Sequence, residues 1–138
     1  MATLLAAVAL MFGHGTATIA TPHGRVAVRV EIAANSRAWE RGLMFRRRLA
    51  AGSGMIFVFP DEIQGAFWMK NTLIPLSVAF YDSKGRIRRI LDMAPCSQDP
   101  CRSYDPGVAF HGALEVNRGA FRRWGVRTGD TIRLRRAT

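Results

Sequence analysis

Apolar and polar positions alternate along this chain in short stretches separated by turn residues. Arg25 to Ala33 sets Val26, Val28, Val30 and Ile32 on one side and Arg25, Arg29 and Glu31 on the other, the period of two expected of a half-buried strand. Asn35 and Ser36 then offer a helix cap, and Arg37 to about Arg48 carries Trp39 and Leu43 at helical spacing with three arginines in the last turn, which suits the helix dipole. Gly52-Ser53-Gly54 ends that pattern. Met55 to Phe59 is a continuous apolar run before Pro60, as in a strand buried on both sides. Ala66 to Lys70 predicts a short strand, and Leu76 to Tyr81 predicts another with Leu76, Val78 and Phe80 on one face. Asp82-Ser83-Lys84-Gly85 reads as a hairpin turn into Arg86 to Leu91. Val108 to Val116 alternates again, with Val108, Phe110, Leu114 and Val116 inward. Asn117 is the expected cap of a short helix through Trp124 that Gly125 stops, and Thr131 to Arg135 closes the chain as a strand with Ile132 and Leu134 inward. Seven short strands and two small helices predict a mostly β single domain over residues 21–138: a small β-sandwich or barrel-like sheet with two short helices.

Ahead of that domain, Leu4 to Phe12 is almost unbroken apolar sequence, followed by small residues through Ala20. The run is shorter than the roughly 20 residues a membrane span needs, and it fits the hydrophobic region of a secretory signal, with Ala17 or Ala20 at the cleavage site. No Lys or Arg precedes it. Residues 1–20 therefore read either as a targeting segment whose start lies upstream or as an apolar arm packed on the domain, with export the favoured reading and a periplasmic or otherwise extracytoplasmic location its consequence.

Cysteine usage points the same way. Cys96 and Cys101 are the chain's two cysteines, set in a stretch that also holds Pro95, Asp99 and Pro100, where a local disulfide is expected. Closing so small a ring stabilises by about 2 kcal/mol and pins a loop. The C-x4-C spacing argues against a dithiol redox catalyst. A metal pair with His111 as a third ligand is the weaker alternative to the staple.

Charge adds a second feature. The 138 residues hold 20 Lys plus Arg against 10 Asp plus Glu, a formal charge of +10, and only Lys70 and Lys84 among the basic residues are lysines. Charge alone would admit nucleic acid, but no helix-turn-helix, finger or aromatic recognition motif accompanies it, so no nucleic-acid partner is expected. Attraction to an anionic envelope surface is the more natural consequence. No Walker loop, dinucleotide fingerprint, zincin helix or nucleophile elbow is present.

The runs Glu40-Arg41-Gly42-Leu43-Met44-Phe45-Arg46, Gly54-Met55-Ile56-Phe57-Val58-Phe59 and Phe67-Trp68-Met69-Lys70-Asn71-Thr72-Leu73-Ile74-Pro75-Leu76 resemble, in order, the motif series of the domain of unknown function family 192, also called uncharacterised protein family 0127. Leu114 to Gly119 and Gly129-Asp130 are similar to its later motifs. The resemblance covers about residues 25 to 135. It implies a small, largely β, often exported protein without an established activity. The family commonly carries an acid after the Pro-Leu pair, where this chain has Ser77.

The densest polar constellation lies in the third of those runs. In an extended segment Trp68 and Lys70 share one face, and Asn71 and Thr72 follow at a turn. An indole beside an ammonium, an amide and a hydroxyl can stack a flat or sugar-like ligand and bond its rim. Arg46 is the expected second anion contact, and Glu115 is the orienting partner, paired with an arginine or with Lys70. His111 and Glu115 fall on one strand about 13 Å apart, too far to share a proton. The expected site is therefore Arg46, Trp68, Lys70, Asn71, Thr72 and Glu115, in a monomeric binding module for an acidic or sugar-like small molecule. A hydrolase of envelope material, using Glu115 with Thr72 or Ser77, and an assembly partner without a small-molecule site are the competing classes. No cofactor is predicted, and no catalytic residue is assigned. Met44, Met55 and Met69 are soft groups of the kind that hold cuprous ion, but methionines in apolar runs are ordinarily core filler.

Overall fold

A computed structural model describes residues 11–138. Strand β1 (Gly13–Thr21) turns at Pro22-His23 into β2 (Gly24–Ala33), and these two pair antiparallel along their whole length. Helix α1 (Ser36–Arg41) follows, capped by the Asn35 side chain, which accepts from the Ala38 amide at 3.0 Å. The chain then enters β3 (Ser53–Ile63), which pairs parallel to β2. The two-residue β4 (Phe67–Trp68) pairs with β7 (Ser103–Tyr104) outside the main sheet. Strands β5 (Leu76–Tyr81), β6 (Ile87–Met93), β8 (Phe110–Asn117) and β9 (Thr131–Arg136) complete the main sheet, with a single helical turn, α2 (Ala120–Arg123), between the last two.

The seven-stranded sheet runs β6-β5-β8-β3-β2-β1-β9. Its edges approach each other: Ile132 donates to the Gly85 carbonyl at 2.7 Å, Ile87 to that of Asp130 at 2.8 Å, and Arg86 bridges Thr131. The sheet thus curls on itself without closing as a barrel. All six residues of β5 are buried, because the strand lies between β6 and β8 and both sheet faces are covered. Alternation along the strands separates two cores. Ile19, Val28, Val30, Ile56 and Leu114 fill the inside of the curl under Phe121 and Val126. Met55, Phe57, Phe59, Val78, Phe80 and Phe110 face the opposite way, toward α1, Leu43, Met69 and Ile74.

Four expectations change. The boundary placed at residue 20 falls at the end of a strand: β1 is hydrogen-bonded to both β2 and β9, and Ala17 and Ile19 have no exposed surface. Cleavage after Ala17 or Ala20 would remove strand residues, so the β domain includes Gly13–Ala20. Residues 1–10 of the expected leader lie outside the described residues. The helix drawn to Arg48 stops at Arg41, since Gly42 turns to φ 46° and Phe45 to φ 65°, a left-handed pair that no helix accommodates. Phe45 instead donates its amide to the Asn71 carbonyl at 2.8 Å. Asn117 caps nothing; its side-chain amide donates to the Leu49 carbonyl at 2.7 Å, and Gly119, at φ 84°, precedes α2. Finally, only Phe67 and Trp68 of the strand expected at 66–70 make a ladder.

Candidate functional site

Glu115 occupies the middle of β8, directly opposite Met55 of β3 and Val78 of β5. Residues paired across a sheet share a face, so its carboxyl projects among the apolar side chains below α1. It is 5% exposed. Among the described residues no hydrogen bond or ion pair reaches it, and burial alone pushes its carboxyl up from 4.5 to about 8. Burying an acid without a partner disfavours its charged form, because nothing replaces the lost water.

Beside Glu115 is a cavity of about 410 Å³, a volume in the range of small-molecule sites. Its walls carry the rings of Trp39, Phe57, Phe59, Phe67, Trp68 and Phe110. Several of these support one another: Phe57 meets Phe67 edge-on at 5.0 Å, Phe59 meets Phe110 at 5.9 Å, and Trp39 tilts over Phe59 at 4.9 Å. Trp39 is anchored by its indole N–H, which donates to the Ala33 carbonyl at 3.0 Å. Leu43 and Met44, in the turn that ends α1, and the Gly65-Ala66 connection to β4 complete the lining.

Of the six residues expected to form the site, the structure brings Trp68, Thr72 and Glu115 to this cavity. Trp68 stands at its edge, 50% exposed. Thr72 is buried, and its hydroxyl donates to the Lys70 carbonyl at 3.3 Å. The other three stand elsewhere. Arg46 forms a two-pronged ion pair with Glu31, one contact at 2.9 Å. Lys70 pairs with Asp99 at 2.9 Å and lies over the Trp68 ring, 5.4 Å from its centroid. Asn71 takes a left-handed turn at φ 58°, and its amide donates to the Cys96 carbonyl at 2.9 Å, which joins the segment to the cysteine loop. The pairing expected between Glu115 and an arginine or Lys70 is absent among the described residues; Arg46 and Lys70 are held by Glu31 and Asp99.

Cys96 and Cys101 stand at disulfide distance. Met55 and Met69 lie in the core with 0% and 1% exposure, and no cluster of His, Cys, Asp or Glu with metal-binding geometry occurs among the described residues. His111 does not line the cavity; its Nδ1 is buried without a partner. Ser77, which stands where the related motif carries an acid, donates to Asp92 at 2.7 Å and accepts from the Gly119 amide at 3.0 Å. A carboxylate from β6 thus lies beside that position. The aromatic walls escaped the sequence reading because each ring looked like ordinary core. The one legible signal was an acid inside the apolar run Ala113-Leu114-Glu115-Val116.

A curled mixed sheet with a carboxyl-floored aromatic cavity defines the class of this domain. The model of the DUF192 family, described as Uncharacterized ACR, matches residues 18–134, and the chain belongs to that family. Two solved structures are similar. One, from Sinorhizobium meliloti 1021 and described as a proposed transcription regulator, is 33% identical with a TM-score of 0.83, over 89% of this chain and 95% of that one. The other, a protein of unknown function from Novosphingobium aromaticivorans DSM 12444, is 31% identical with a TM-score of 0.79, over 86% of this chain and 83% of that one. No protein of curated function matches.

Proposed function

We propose that this protein is a small-molecule binding module whose ligand occupies the aromatic cavity and contacts Glu115. The observation that carries the reading is an acid 5% exposed, without a partner among the described residues, beside a cavity of about 410 Å³. An unpaired buried carboxyl costs folding free energy, and a ligand group that meets it offsets that cost. Binding is favoured over hydrolysis through a side-chain hydroxyl because that of Thr72 is engaged with the Lys70 carbonyl and that of Ser77 with Asp92. The cavity's apolar walls call for a ligand with an apolar body and one polar head. They suit the acidic or sugar-like molecule less well, since Arg46 and Lys70 are outside the lining and Arg41, which is within it, lies over the Phe45 ring. An extracytoplasmic setting is part of the proposal, supported by the paired cysteines. Among the described residues no helix is long and apolar enough to cross a membrane.

The experiment is a fragment screen by thermal shift on the full chain, repeated on Glu115→Gln and Trp68→Ala. The expected result is a set of apolar fragments with one polar group whose stabilisation falls in both variants. No hit, or hits indifferent to both changes, would sink the reading.

A further inference from the structure

Two chemistries could satisfy Glu115: a neutral acid donating to an acceptor, or a carboxylate meeting a cation. The walls discriminate between them. Six aromatic residues line the cavity, and a cation among aromatic rings gains an attraction that a neutral acceptor does not. One of these rings already holds a cation, since the Lys70 ammonium rests over Trp68 at 5.4 Å. Among the described residues no cation pairs with Glu115. Arg41 is the one basic residue among the described residues of the lining, and its guanidinium lies over the Phe45 ring, 5.1 Å from the centroid. Around the carboxyl, β3 and β5 present Met55 and Val78, the segment after β4 presents Thr72, and α1 brings Glu40 and Arg41 to the cavity.

We infer that the ligand's head is an organic ammonium, held between the Glu115 carboxylate and the aromatic walls. The inference rests on the binding reading above and specifies its ligand class. Salt screens the net charge of +10 beyond about 8 Å at physiological ionic strength, so an entering cation meets chiefly the charges that line the cavity, where Glu40 stands next to Arg41. Within the cavity the ion pair acts at contact distance, in a medium of low polarity that strengthens it.

The direction of the pH dependence separates the two chemistries. An ammonium needs the carboxylate, so its binding expels the proton from Glu115. Since that proton is held up to about pH 8, affinity should rise roughly tenfold per pH unit from 6 toward 8 and then level. A neutral acceptor needs the protonated acid, and its affinity should fall above pH 8.

The test is calorimetry on the full chain with 2-phenylethylamine and its neutral isostere 2-phenylethanol, across pH 6 to 9, for the native protein and for Glu115→Gln, a change that keeps the side chain's size. The expected result is at least about tenfold preference for the amine at pH 8, rising affinity between pH 6 and 8, and loss of the preference in Glu115→Gln. Equal or tighter binding of the alcohol, or an amine affinity unchanged in Glu115→Gln, overturns the inference and leaves the binding reading standing. If neither probe binds while neutral or anionic fragments bind through Glu115, the inference again falls alone. If neither probe binds and the fragment screen is empty, both fall together.

Discussion

Inside the curl of the sheet, Ala17, Ile19, Val28, Val30, Ile56 and Leu114 interlock with Ile132 and Phe121; on the opposite face, rings of phenylalanine and tryptophan stand around a cavity under α1. Each side holds an ionisable group out of water whose protonation burial alters. On the filled side, burial pushes the Tyr81 phenol up, and its hydroxyl donates to the Phe57 carbonyl at 3.0 Å. On the cavity side, Glu115 has no such partner among the described residues. Buried polar groups are nearly always bonded within a folded protein. Tyr81 obeys that rule with a backbone partner; for Glu115 the partner is the ligand proposed above.

The largest effects should come from the filled side. Ile56 is 1% exposed in the curl, and Ile56→Ala should cost about 4 kcal/mol in urea denaturation, because transfer and cavity terms add where neighbours cannot collapse. Trp68 is half exposed at the cavity edge, and Trp68→Ala should cost about 1 kcal/mol or less. Equal losses would mean that the rings are as much a part of the structural core as the aliphatic side chains.

Glu115→Gln should change stability in the opposite direction. Below pH 4.5 the acid holds its proton whether the chain is folded or not, and its burial costs nothing electrostatic. Between 4.5 and about 8 the unfolded chain releases the proton and the folded chain keeps it, so native stability falls as pH rises. At about 1.4 kcal/mol per unit, the loss reaches about 3 kcal/mol near pH 7 and levels above 8. Glu115→Gln should remove that slope and be the more stable protein at pH 7, by up to about 3 kcal/mol. Chemical denaturation of both proteins from pH 4 to 9 measures it, and parallel profiles would show that Glu115 is ionised and compensated in the native state.

How much of this was visible in the sequence follows from what each signal encodes. Period-two alternation located β2 and β5, and Asp82 to Gly85 gave the hairpin into β6, since these depend on near neighbours alone. The extent of the helix after Asn35 did not follow, because the chain is turned by Gly42 and by a Phe45 amide bonded to Asn71, 26 positions away. Nor did β1, whose alternating Thr16, Ala17, Thr18 and Ile19 come three residues after an apolar run and read with it as a leader; pairing with β2 and β9 shows it as a strand. For the site, residue type found Trp68, Thr72 and Glu115, while charge drew attention to Arg46 and Lys70. Charge patterning cannot show that Glu31 and Asp99 already hold those two.

A smaller effect should follow from the contact between the two sides. A Cβ at Gly112 would collide with the Tyr81 hydroxyl and the Phe57 carbonyl, the two partners of the bond that satisfies Tyr81. Gly112→Ala should therefore cost about 2 kcal/mol, as overpacking of a close contact typically does, and should accelerate amide exchange along β8. Tyr81→Phe removes the hydroxyl without adding a clash. If Gly112→Ala is neutral, the backbone there yields more readily than a filled core permits.

The smallest effect belongs to the pair that charge alone singled out. Arg46 and Glu31 are 29% and 23% exposed in their side chains and grip each other through two contacts, an arrangement worth about 1 kcal/mol because water still reaches both ions. Arg46→Met keeps an aliphatic stem beside Phe12, whose ring the guanidinium covers at 5.8 Å, and should lower stability by about that amount. Since Arg46 does not line the cavity, the same variant should bind 2-phenylethylamine as the native protein does, whereas Glu115→Gln loses it. A drop in amine affinity for Arg46→Met comparable to that of Glu115→Gln would mean that the ion pair outside the cavity and the acid within it act on one ligand.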